Sequence, residues 1–323
     1  MTGFLAKNID CLRAIAQLRT PQLDSVMALI TQLGGETVFM VLLMAVFWCV
    51  DKKQGYCLMM IGFTGTIFNQ FLKILVRIPR PWVLAPDFEI VEAAREGAEG
   101  YSFPSGHTQN AVGLLGSTAK LSRRGRVKIV CIAVIVLIAF SRLYLGVHTP
   151  LDVGFSAAVT LVLVFGVTPI YRVMDERPKL VAGVFACMIV AAILFRHYAS
   201  AQQVIAVSQG LSEEDLANFS GAVKNAYCML GASVSGLIVY ILDQRYIRFE
   251  TKAVWWAQGL KLLGGVALAV GIKSALKAPL YALMGASGDA VRYGLMILVA
   301  GAVWPLTFPW FEKLGINKAG TLQ

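Results

Sequence analysis

Charge is scarce in this chain. Only 15% of its 323 residues are Asp, Glu, Lys or Arg, against 57% hydrophobic, whereas a soluble domain carries charge on about a quarter of its residues. The shortage argues against a soluble globular protein. With a mean hydropathy of +0.66, an integral membrane protein is expected. Histidine is scarcer still, at three residues. The six cysteines (Cys11, Cys49, Cys57, Cys131, Cys187 and Cys228) show no CxxC or Cys/His spacing. That lack, with the lack of a carboxylate cluster, argues against a metal site, and no cofactor is expected. Met1 to Pro21 lacks an apolar core before a small-residue cleavage site, so it does not read as a signal peptide. It reads as an amphipathic interfacial helix with Phe4, Leu5, Ile9, Leu12, Ile15 and Ala16 on one side. No internal repeat and no low-complexity segment is visible. The net charge of +10 does not point to nucleic acid, because the basic residues fall mostly in short loops between apolar runs.

What is present is a series of apolar runs. The sequence predicts an all-α, polytopic membrane helical bundle of about nine transmembrane helices, at roughly 20 apolar residues per span. The runs cover 24–50, 55–76, 105–120, 128–146, 151–171, 180–198, 222–243, 255–277 and 291–310. Three regions are expected: an interfacial segment over 1–22, a membrane core carrying the chemistry over 23–200, and additional C-terminal transmembrane helices over 201–323. Lys and Arg alternate between the loops. Lys52 and Lys53, Lys120 to Lys128, Arg172 to Lys179, Arg245 to Lys252, and Lys313 with Lys318 mark one side. Val147–Pro150, the acidic Glu213–Asp215 stretch and the loop near Asp289 mark the other. The positive-inside rule then puts the C-terminus in the cytoplasm and the N-terminus outside.

Three polar islands interrupt the apolar background, and ionisable groups near a bilayer usually mark function. The first runs from Lys73 to Pro81 and holds Lys73, Arg77 and Arg80. The second is Pro104-Ser105-Gly106-His107. The third holds Ser141, Arg142, His148 and Asp152. All three fall at span ends on the predicted non-cytoplasmic face. Their residue types suit phosphoryl transfer, in which the protein mainly positions groups and stabilises charge. Lys73, Arg80 and Arg142 supply cations, and Arg grips oxyanions bidentately. Ser105 offers a hydroxyl, and Gly106 lets a backbone N–H approach closely at a helix start that attracts anions. One histidine can attack phosphorus while the other protonates the departing oxygen. Asp152 lies one turn after His148 and can fix its tautomer. That makes His148 the better nucleophile and His107 the better acid.

The spacing Lys-x6-Arg-Pro, then Pro-Ser-Gly-His, then Ser-Arg-x5-His-x3-Asp resembles the type 2 phosphatidic acid phosphatase superfamily, which also includes vanadium haloperoxidases and glucose-6-phosphatase. Lys73, Arg80 and Pro81 match the first element. Pro104 to His107 match the second. Ser141, Arg142, His148 and Asp152 match the third, over a region of about Leu58 to Gly166. The resemblance implies a helical core bundle, a metal-independent phosphatase, His148 as nucleophile and His107 as acid. The order of spans departs from the simplest membrane members and looks more like glucose-6-phosphatase or sphingosine-1-phosphate phosphatases.

The expected function is therefore a membrane phosphatase acting on a lipid phosphate or diphosphate, through a phosphohistidine, on the extracytoplasmic face of a bacterial plasma membrane. A lipid phosphotransferase and an anionic lipid transporter or flippase are the alternatives. The lipid partner resides in the membrane; no nucleic acid partner is expected. Arg77 could join the phosphate grip. Lys273 and Lys277, one turn apart on a predicted helix face, with Arg196, Lys224 and Arg292, suggest a second anion site. The acidic loop Glu89–Glu99 reads as a solvated turn, with a lid over the site as the alternative.

Overall fold

A computed structural model of the chain describes residues 2–314, so Lys318 lies outside the described residues. Among those residues every regular element is helical. Helix α1 spans Thr2–Ala16 and α2 Pro21–Gln32. Thr20 caps α2, its side chain accepting from Leu23 N, with Pro21 in the first turn and Asp24 beside the N-terminal dipole. A break at Leu33–Gly35 precedes α3 (Glu36–Ala45), which runs on through a π turn, Val46–Val50. Helix α4 spans Lys52–Val76. It stops where Arg77 takes a left-handed φ of 55° ahead of Pro79. Helix α5 (Gly106–Ala111) continues through a π turn at Val112–Gly116 into Ser117–Leu121. Helices α6 (Gly125–Tyr144), α7 (Pro150–Val167), α8 (Pro178–Ser208), α9 (Glu213–Leu242) and α10 (Trp255–Ala275) follow. Then come α11 (Lys277–Met284) and α12 (Gly288–Leu298), the latter prolonged by a π turn and a 3-10 turn into a short final helix, Phe308–Lys313.

Six stretches among the described residues are long and apolar enough to cross a membrane, and the α2–α3 pair makes a seventh. One of the six, Trp255–Lys313, holds two helical arms, because α10 and α12 pack against each other. Counting these separately, together with the shorter Gly106–Leu121 helix, gives the nine predicted spans. Large apolar side chains such as Leu29, Ile129, Val136, Val162, Phe165, Leu194 and Leu263 are exposed on these helices. A surface of this kind suits hydrocarbon, where the helix satisfies its own backbone.

The chain forms two compact units. The first comprises Met1–Phe39, Phe68–Thr168 and Gln202–Ala222; the second comprises Met40–Ile67, Pro169–Ala201 and Val223–Gln323. In the first, Ile9 and Leu12 of α1 are buried with Phe88 and Leu143. Part of the apolar side expected to meet lipid therefore packs on protein; the side chain of Phe4 lies outside the described residues. Tyr144, Leu145 and Val147 form the floor of a neighbouring cluster with Met27, Ala94 and Ala98. The second unit is rich in aromatics: Phe47, Tyr56, Tyr240 and Phe185 stack or meet edge to face.

Several boundaries differ from the sequence reading. Glu213, Glu214 and Asp215 were expected in a loop and instead form the first turn of α9, where acidic side chains complement the dipole. Lys273 and Lys277 were expected on one helix face. Helix α10 ends at Ala275, and Lys277 starts the next helix.

Candidate active site

The site is assembled within the first unit, from the ends of α4, α6 and the start of α5 and α7. Helix α7 begins with a capping box: Thr149 Oγ1 accepts from Asp152 N, and Asp152 returns the bond to the Thr149 backbone. With Pro150 in the first turn, this cap fixes the backbone immediately after His148. Ser105 caps α5, its hydroxyl accepting from Thr108 N at 3.4 Å, and sets Gly106 and His107 in the first helical turn. Ser105 N in turn bonds Asp152 O at 3.3 Å, which ties the two helix starts together.

Arg80 lies at the centre and is only 3% exposed. Its Nη1 donates to Val147 O at 2.9 Å and meets His148 Nε2 at 3.2 Å. Nε and Nη2 donate to Gly100 O and Glu99 O at 2.8 and 2.6 Å. Lys73 Nζ donates to Tyr101 O at 2.8 Å and Glu99 O at 3.3 Å. The Glu89–Glu99 region thus does more than turn in solvent. Its glutamate side chains face outward, but the backbone at its end docks on two predicted phosphate-binding cations. Arg142 is 1% exposed, and its Nη1 donates to Thr31 Oγ1 at 2.7 Å. Its Nε and Nη2 are buried and, among the described residues, have no hydrogen-bond partner. A buried donor left in this way is costly, and a guanidinium edge of this geometry fits the oxygens of a tetrahedral oxyanion.

The orientation of His148 follows from its neighbours. An arginine nitrogen can only donate, so the contact with Arg80 assigns the lone pair to Nε2 and the proton to Nδ1. Nδ1 lies 3.5 Å from Asp152 Oδ2, within ion-pair range but longer than an aligned hydrogen bond. Oδ2 instead accepts from Ser102 Oγ at 2.6 Å and from Thr149 N at 2.7 Å. Burial, then the charges of Arg80, Arg142 and Lys73, hold the imidazole neutral, well below the ordinary histidine range. His107, in the first turn of α5, is half-buried.

Lys73, Arg80, Ser105, Gly106, His107, Arg142, His148 and Asp152 therefore gather in one place. Arg77 is engaged elsewhere. Its Nε donates to Ile74 O at 3.0 Å, Nη2 bonds Gln202 Oε1, and the guanidinium lies 4.8 Å from the Phe219 ring centroid. Lys273 and Lys277 belong to the second unit. There Lys273 Nζ lies 5.3 Å from the Tyr293 ring centroid and Lys277 is exposed. The neighbouring Arg292 is paired with Asp289 and donates to Lys273 O. Two hydroxyls were not foreseen. Ser102 touches Asp152, and its position three residues before Ser105 is at most a weak signal. Thr31 touches Arg142 from a distant part of the chain, with no local signal. Among the described residues, no group of three or more His, Cys, Asp or Glu side chains is placed to hold a metal ion.

Comparison with known proteins gives a consistent picture. Residues 53–176 match the PAP2 superfamily, and residues 227–318 match the transmembrane extension of PAP2 superfamily phosphatases. The chain is 30% identical over 164 residues to phosphatidylglycerophosphatase B of Bacillus subtilis (strain 168), covering 46% of this chain and 76% of that protein. It is 28% identical over 147 residues to an undecaprenyl-diphosphatase of the same organism, covering 44% and 72%. A crystal structure of a transmembrane PAP2-type phosphatidylglycerolphosphate phosphatase from Bacillus subtilis aligns with a TM-score of 0.45 and 25% identity, over 55% of this chain and 88% of that one.

Proposed function

This chain belongs to the PAP2 superfamily of phosphatases, and from that premise we propose that it hydrolyses a membrane lipid phosphate or diphosphate through a phosphohistidine. The observation that carries the reading is the setting of His148: one ring nitrogen faces the guanidinium of Arg80 and the other faces Asp152. In the proposed reaction, the phosphate oxygens draw Arg80 Nη1 away from His148, and the freed Nε2 lone pair of the neutral imidazole attacks phosphorus as the bond to the lipid oxygen breaks. Positive charge appears on the imidazole, and Asp152 stabilises it. His107, drawn into its protonated form by the negative charge of the bound phosphate, gives that proton to the departing lipid oxygen. His107, now neutral, takes a proton from water, which attacks the phosphohistidine, releases phosphate and frees His148. Arg80, Arg142, Lys73, Ser105 and the Gly106 backbone N–H neutralise charge on the three non-bridging oxygens.

A lipid substrate agrees with the membrane character of the chain and with the two relatives, named for phosphatidylglycerophosphate and undecaprenyl diphosphate. A headgroup at the bilayer surface reaches the span ends while its tail stays in hydrocarbon. The Lys/Arg pattern favours the extracytoplasmic face of a bacterial plasma membrane. Lys273 and Lys277, in the second unit, remain a proposed anion-binding patch of their own. The test uses purified protein and a panel of undecaprenyl diphosphate, phosphatidic acid, phosphatidylglycerophosphate, a sphingoid phosphate and a soluble sugar phosphate. His148→Ala is expected to abolish turnover and labelled phosphoenzyme, and His107→Ala to slow release of the lipid alcohol. Vanadate, which mimics a pentacoordinate phosphoryl group, should inhibit. Full activity in either variant would refute the assigned roles.

A further inference from the structure

The N-terminal segment meets the active site at several separate points. Asn8 of α1 accepts from Leu151 N at 3.1 Å, one of the otherwise free first-turn donors of α7. Arg19, between α1 and α2, donates from Nε to Tyr144 O at 3.0 Å and from Nη1 to Glu89 O at 2.7 Å. Gly146 has a left-handed φ of 78°, and a Cβ there would lie 2.7 Å from Arg19 Nη2, so Arg19 lies close against this loop. Tyr144 Oη donates to Asp24 Oδ1 at 2.7 Å and accepts from Thr20 N at 3.3 Å. These contacts grip the Tyr144–Leu151 loop that carries His148. The fourth contact reaches the phosphate-binding cations directly: Thr31, 3% exposed near the end of α2, accepts from Arg142 Nη1 at 2.7 Å.

We propose that Thr31 is a positioning residue for phosphate recognition, holding Arg142 by Nη1 so that Nε and Nη2 form the edge offered to the phosphoryl oxygens. The inference rests on the phosphatase reading and extends the site to a segment that carries no part of its motifs. Arg142 has several rotatable bonds, and a single buried acceptor removes its freedom to swing away. Arginine grips an oxyanion well only when its planar fork is aligned. Among the described residues Nε and Nη2 have no hydrogen-bond partner, so the Thr31 bond is the side-chain hydrogen bond that sets their direction.

The test uses the full-length protein in detergent. Thr31→Val removes the hydroxyl and keeps the shape; Thr31→Ser keeps the hydroxyl. Thr31→Val is expected to raise KM for the lipid phosphate and the vanadate inhibition constant together by about tenfold, the size of one charge-assisted hydrogen bond. kcat should fall less, and Thr31→Ser should stay within about twofold of the parent. In an Arg142→Ala background, Thr31→Val should add nothing. If Thr31→Val yields no folded protein, Thr31→Cys replaces it, because a thiol is a weaker acceptor than the Ser hydroxyl. An unchanged KM and vanadate constant in the hydroxyl-free variant, or a tenfold effect that persists without Arg142, overturns the positioning role. If either occurs while His148→Ala is inactive, the role of Thr31 alone fails. Turnover surviving in His148→Ala removes the phosphatase reading beneath it.

Discussion

A buried imidazole among three cations has no reason to carry a proton, and His148 has both conditions. Burial disfavours its charged form, and Arg80, Arg142 and Lys73 add to that effect. A lowered value means that the neutral, nucleophilic form persists as the pH falls. The acid limb of kcat/KM, which reports the free enzyme, is therefore expected below the ordinary histidine value of about 6.5. An acid limb that bends at 6.5 or above would contradict this placement. The linked effect on stability has the same origin. Between the lowered value and about 6.5 the unfolded chain binds more protons than the folded one, so stability declines as pH falls through that window. The residues behind this behaviour were legible in the sequence because charged groups stand out against an apolar background: Arg80, Arg142 and His148 announce themselves by their cost in such surroundings. Thr31 and Ser102 were not legible. A hydroxyl is unremarkable in a helix, as at Thr31, or in a loop, as at Ser102, and its meaning depends on a partner 50 to 111 positions away. The capping role of Asp152 was written in Thr149-Pro150-Leu151-Asp152, yet the proximity of His148 drew attention to only one of its two functions.

Helices come together closely where glycine allows it. A Cβ on Gly231 of α9 would fall on the carbonyl of Ala290 in α12, and one on Gly301 would lie 2.5 Å from Val239 Cγ1. On Gly265 of α10 it would meet the indoles of both Trp48 and Trp304. Small residues at such contacts are what drive helix association in a membrane, where hydrocarbon supplies no contrast. Gly231→Ala is therefore expected to destabilise the second unit by about 1–3 kcal/mol, the usual range for overpacking. Thermal unfolding in detergent would show it as a lowered midpoint. Gly221→Ala, in the same helix with open space around it, is the control and should be neutral or slightly stabilising. No drop for Gly231→Ala relative to Gly221→Ala would mean that the two helices do not touch there. The existence of α9, α10 and α12 followed from their apolar runs, since long hydrophobic stretches have few other solutions. Their ends did not. The π turn at Val299–Val303 and the break at Leu276 depend on packing that hydropathy does not encode.

The number of times the chain crosses the bilayer is constrained by the site itself. Arg80 Nη1 lies 3.2 Å from His148 Nε2, so the chain between them must leave one face and return to it. Two helices lie in that interval. Gly125–Tyr144 is long and apolar enough to span. Gly106–Leu121 is shorter than the roughly 20 residues of an ordinary span and is interrupted by a π turn. Taken alone it would be a doubtful crossing. Yet if it did not cross, Gly125–Tyr144 would carry Arg142 and His148 to the face opposite Arg80, which the contact forbids. The short helix is therefore predicted to span, with the loop Ser122–Arg124 across the membrane from the site. By the positive-inside rule, Lys120, Arg123, Arg124, Arg126 and Lys128 predict a cytoplasmic position for that loop. In a cysteine-free background, Glu96→Cys should react with a membrane-impermeant maleimide added to intact spheroplasts. Arg124→Cys should react only after the membrane is opened. Both positions are exposed, so a lack of labelling would report sidedness rather than burial. Equal labelling of the two from outside would break the parity argument, and with it the assignment of Gly106–Leu121 as a transmembrane helix that delivers His107 to the same face as His148.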